Sequence, residues 1–139
     1  MAPDPSSAFD FGEIGQRLED LGEERLRQMD EAGVEVQVLS LTTPGLHNLA
    51  PDRAVDLARR VNDGIAEAAT RHPGRFQGFA ALPTSAPDEA PRELERAVRD
   101  LGLKGAMLCG RTRERNLDHQ DFWPPVSYTH LTLPTNREV

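Results

Sequence analysis

Five side chains mark where this chain could do chemistry: Thr42, Thr43, His47, Cys109 and Arg111. Each falls at the end of, or just past, a stretch that reads as a β-strand. The hydroxyls of Thr42 and Thr43 could meet a substrate oxygen, and turn-forming hydroxyls that bond their own backbone explain TTPG equally well. His47 offers an imidazole, although its loop setting favours a plain solvent-exposed histidine. Cys109 would need a neighbouring base or cation to become a nucleophile. No such neighbour is readable, so a buried structural thiol is the favoured reading. Arg111 and Arg113 carry the fork that receives a carboxylate through two hydrogen bonds, against the commoner role of a solvated loop charge.

A metal cage needs several converging ligands, often two at short spacing on one element. His47, His72 and His119 are spread over a loop, a helix end and a late loop, and no paired His-x-His or Glu-x-His occurs. His72 reads as a helix-terminal residue favoured by the helix dipole, and His119 as a surface residue. Asn62 and Asp63 interrupt the most regular helix, where a side-chain bond to a neighbouring loop is favoured over catalysis. Neither GxGxxG nor GxxxxGK[ST] is present, which removes the common phosphate loops.

The elements that would position these residues are organised around Arg71–Pro83, RHPGRFQGFAALP. A helix ends there and Gly74 suits the left-handed turn that follows it. Phe76–Leu82 is then an apolar run expected to be a strand buried on both faces, and Pro83 stops the ladder. Upstream, apolar spacing predicts helix over 13–32, bent or divided at Gly22 and stopped by Gly33, then a strand over 34–41. Pro51 opens a helix over 51–72 with an apolar stripe at Ala54, Leu57, Ala58, Val61, Ile65, Ala68 and Ala69. Another helix is expected over 87–101, with Pro87 near its first position, and a third strand over 104–109. Alternating helices and strands imply an α/β fold with a parallel sheet. A doubly wound sheet and a (β/α)8 barrel both satisfy that order.

With 139 residues, 37% of them hydrophobic, and a net charge of −7, the chain fits one acidic domain. Its arginines are dispersed, so no nucleic-acid footprint is visible. No apolar run reaches membrane-spanning length. A single cysteine excludes an internal disulfide framework. The expected setting is cytoplasmic.

The segments RLRQMDEAGVEVQVLSL, LARRVNDGIAEAATRHPGRFQGFAALP, ELERAVRDLGLKGAML and LDHQDFWP, in that order from Gln16 to Pro124, resemble the amidohydrolase-related family. Its members include γ-resorcylate (2,6-dihydroxybenzoate) and aminocarboxymuconate-semialdehyde decarboxylases. The resemblance implies an N-terminal fragment of a (β/α)8 TIM barrel from a metal-dependent decarboxylase or hydrolase of small carboxylates. It implies one divalent metal, zinc or else manganese or magnesium, with ligands before Met1 and after Pro124. The fragment alone is then expected to bind no metal and to be inactive, and the parent to be a homodimer or homotetramer. Thr42, Thr43, His47, Cys109 and Arg111 become candidate substrate contacts, because barrels build their sites at the carboxyl ends of strands. Relatives often carry Asn where Cys109 stands, which puts a polar substrate contact there in question. Residues 1–10 are expected to be flexible and 11–125 to form the partial barrel. Residues 126–139, VSYTHLTLPTNREV, read as translated sequencing adaptor, a non-native and disordered tail that includes His130. The alternative is a small self-contained α/β binding or signalling module without metal.

Overall fold

The computed structural model describes residues 13–42, 45–108, 111–112, 114–116, 118–125 and 127. The chain divides into two compact units, Met1–Glu35 and Val36–Val139.

In the first unit the expected helix is two helices, α1 (Glu13–Glu19) and α2 (Glu23–Glu31). The break at Gly22 is stabilised locally. The Asp20 carboxylate accepts from the Gly22 N–H at 2.7 Å and the Arg25 N–H at 3.1 Å, which satisfies donors that the start of α2 leaves orphaned. Gly33, at φ 69°, ends α2. The Val34 N–H reaches back to the Met29 carbonyl and the Gly33 N–H to that of Asp30, the paired bonds of a Schellman stop. Arg27 lies between Glu24 and Glu31 on the exposed face of α2.

The second unit holds β1 (Gln37–Leu39), α3 (Pro51–Arg71), β2 (Phe76–Gly78), β3 (Ala80–Ala81), α4 (Ala90–Arg99) and β4 (Ala106–Met107). A hairpin of β5 (Arg111–Thr112) and β6 (Arg115–Asn116) and a 3-10 turn (Gln120–Phe122) follow. β2 and β3 are two halves of one extended run, separated only at Phe79. β1 pairs with the first half and β4 with the second, both in parallel. Backbone groups of the run alternate between neighbours, as a central strand requires. The Phe79 N–H donates to Leu39 on one side, while Gly78 accepts from Lys104 on the other.

The helix–turn–strand unit forms as its sequence indicates. α3 ends at Arg71, His72 follows as its cap, and Gly74 adopts φ 78°. The buried face of α3 is Ala54, Ala58, Asn62, Ile65 and Ala68, with Leu57 and Val61 packed at its margin. Four expectations need correction. The strand expected over 104–109 is limited to Ala106–Met107, where it pairs with β3. The first strand is confined to Gln37–Leu39, with Val36 and Val38 exposed at 45% and 51%. The run 76–82 is not buried on both faces, because Gln77 is exposed. The fourth helix begins at Ala90 rather than at 87. Thr84–Glu89 is a run of turns and Pro91, not Pro87, occupies the first helical turn. In each case the local pattern was right in type, and tertiary pairing set the limits.

Candidate functional site

The carboxyl ends of β1, β3 and β4 converge on a shallow pocket. Beyond β1 the Gly45 N–H closes a turn on Thr42, and buried Leu46 anchors the loop against Ala54, Ala58 and Ala81. That anchorage leaves the adjacent His47 half-buried, on a wall shared with Leu41, Leu82, Thr84 and Met107. The enclosed space is about 20 Å³, room for one water molecule rather than an organic acid. Behind the lining residue Thr84, Thr112 Oγ1 donates to Thr84 Oγ1 at 2.7 Å, and both residues are buried. The β5–β6 hairpin is thereby tied to the end of the central run.

Of the candidate residues that are described, His47 lines this pocket. Thr42 is exposed and accepts the Gly45 N–H through its backbone carbonyl. Thr43 and Cys109 lie outside the described residues, as does Arg113. Arg111 is not a loop residue: it opens β5, opposite Asn116 in an antiparallel pair. His72 caps α3 and sets its ring edge-on to Phe76, with centroids 5.8 Å apart. His119 caps the 3-10 turn, its Nδ1 accepting from the Asp121 N–H at 3.3 Å.

The sequence reading missed a buried polar network behind the pocket. Asn62 is fully buried in α3. Its Oδ1 accepts from the Ala81 N–H at 2.8 Å, and its Nδ2 donates to the Ala81 carbonyl and to Glu93 Oε1, both at 2.9 Å. Glu93 of α4 is 3% exposed and is bound in a fork by Arg96, whose Nη1 also reaches Asp63 at 2.7 Å. The hydrogen bonds to Glu93 hold the Arg96 guanidinium above its usual range. Asn62 bonds a strand rather than the loop expected. The available signal was its spacing, four residues after Ala58 and three before Ile65, which puts an amide on the buried stripe.

Among the described residues no group of three or more His, Cys, Asp or Glu side chains converges to hold a metal ion. The described residues therefore do not by themselves fit a divalent cation.

The amidohydrolase family model matches residues 13–131. The chain belongs to the amidohydrolase family. The match runs six residues past Pro125, into the segment set apart as a tail. Among curated relatives, the γ-resorcylate decarboxylase of Polaromonas sp. is 42% identical over 83% of this chain and 37% of its own. That of Rhodococcus jostii is 37% identical over 93% of this chain and 45% of its own. The crystal structure of 5-carboxyvanillate decarboxylase from Novosphingobium aromaticivorans, with bound manganese and a nitrobenzoic acid, superposes with a TM-score of 0.83 at 35% identity. The superposition covers 94% of this chain and 37% of that one. The chain thus spans between about a third and a half of the length of these relatives. Its α/β arrangement with parallel strands is that of part of the amidohydrolase (β/α)8 barrel. Among the described residues no helix is long and apolar enough to cross a membrane.

Proposed function

We propose that this chain is part of an amidohydrolase-family decarboxylase that releases CO2 from a hydroxylated aromatic acid. The supporting observation is the joint agreement in sequence and backbone with decarboxylases of γ-resorcylate and 5-carboxyvanillate. In this reading the chain supplies three parallel strands of the barrel and the loops at their carboxyl ends. Thr42, Thr43, His47 and Cys109 contact the substrate from those loops and Arg111 from the start of β5, its guanidinium fork suited to a carboxylate. The divalent metal of the complete enzyme is held by residues outside the described ones. Residues 126–139 take no part.

The test begins with a long read of the source DNA across both ends of this reading frame. The complete protein is then expressed, its metal content measured, and CO2 release followed with 2,6-dihydroxybenzoate and 5-carboxyvanillate. Release that needs manganese or zinc is expected. Hydrolysis of amides or esters without CO2 release from any hydroxybenzoate would overturn the assignment.

A further inference from the structure

Pairing between β1 and the central run stops abruptly. Its last bond joins the Phe79 N–H to Leu39 at 2.9 Å. In a parallel ladder the next pair of groups facing that edge belongs to Ala81, since the N–H and C=O of one strand residue point to the same side. Both are bound instead by the carboxamide of Asn62. Ala81 is 6% exposed, so without this partner its two backbone groups would be buried unpaired.

We infer that Asn62 is a positioning residue, a side-chain surrogate for the strand partner that Ala81 lacks. It ends the β1 pairing and fixes the carboxyl end of the central run where Ala81, with Leu46 and His47, lines the pocket. The orientation of the amide is determined by chemistry. Glu93 as a carboxylate only accepts, so it must face Nδ2, which leaves Oδ1 for the Ala81 N–H. Arg96 in turn holds Glu93 by two parallel bonds and crosses to Asp63 on α3. A leucine at 62 would fill comparable space but could pair neither group of Ala81. From Ala81 the effect passes through Leu82 and Pro83 to the lining residue Thr84, whose hydroxyl is tied to Thr112 of the β5–β6 hairpin. That this end is the reacting face rests on the decarboxylase proposal; the wedge that Asn62 forms beside Ala81 does not.

Residue-resolved amide hydrogen exchange of the full 139-residue chain tests the inference. In the wild type the Ala81 amide should exchange as slowly as that of Phe79. Asn62→Ala should accelerate Ala81 roughly tenfold or more while leaving Phe76–Gly78 nearly unchanged. Asn62→Leu fills comparable space but pairs neither group of Ala81. It should accelerate Ala81 to the same extent as Asn62→Ala. An unprotected Ala81 in the wild type overturns the inference. So does a uniform rise along the whole run in Asn62→Ala, or an Ala81 that stays protected in Asn62→Leu. If Asn62→Ala does not fold, the wild type and Asn62→Leu decide. No substrate enters the measurement, so the wedge can stand where CO2 release fails, and the reverse.

Discussion

Gly78 lies where the central run passes beneath α3, and replacing it with alanine measures how tightly the two elements are packed. A Cβ on Gly78 would lie 2.2 Å from Ile65 Cγ2 and 3.1 Å from Leu103 Cδ2. Carbon atoms in contact prefer about 3.5 Å or more, so the first distance is short by roughly 1.3 Å. The Ile65 methyl cannot rotate away easily, because β-branched side chains in helices hold nearly a single rotamer. Relief therefore requires α3 to lift from the sheet. Overpacking of this kind costs ~1–3 kcal/mol, and this overlap belongs near the top of that range. Alanine recovers about 0.4–1 kcal/mol through the unfolded chain, for a net loss of ~2 kcal/mol. In a unit of this size that lowers Tm by roughly 8–16 °C. Urea unfolding followed by circular dichroism and Trp123 fluorescence gives the free energy directly. The decisive comparison is with Ile65→Ala. Alone it leaves a cavity and costs ~2–5 kcal/mol, but it also removes the methyl that the new Cβ at position 78 would strike. The double variant should exceed the sum of the singles in stability by at least ~1 kcal/mol. Additivity within about 0.5 kcal/mol would refute the packing argument.

Two further outcomes follow from other parts of the chain. Glu24 is held at a pKa of about 2 by hydrogen bonds from Arg27 first and Gln28 second, against an ordinary value of 4.5. A depressed carboxyl contributes stability that is present above the ordinary value and lost as pH falls toward the folded value. Helical ellipticity should therefore drop more between pH 4.5 and 2 in the wild type than in Glu24→Gln; equal losses would discard the Glu24 contribution. Truncation after Pro125 should leave the unfolding midpoint unchanged, because residues 126–139 are proposed to lie outside the barrel segment. A clear fall in the midpoint would show that they belong to the fold.

Local chemistry in the sequence determined the succession of elements and several of their ends. Gly22 divides α1 from α2, and Gly33 and Gly74 take the left-handed conformation after their helices. The apolar stripe of α3 was legible because helical period and burial coincide. The segments of family resemblance were legible too, since they are carried by residue identity alone. The extent of β1 was decided by tertiary structure. Val34–Leu41 has a strand pattern throughout, but a strand lasts only as long as its neighbour pairs with it. Asn62 takes over that edge beyond Leu39. The burial of Glu93 was likewise hidden, because a charged residue reads as solvated until Asn62 and Arg96 from two helices close around it. His47 stood out by its loop position. Its place at the pocket required Leu46 to join the cluster that holds Ala81, a residue distant in sequence. Periodicity and turn residues act over a few positions and are written in the chain. Pairing limits, buried polar partners and pocket walls depend on which distant segments meet, and only the folded structure decides that.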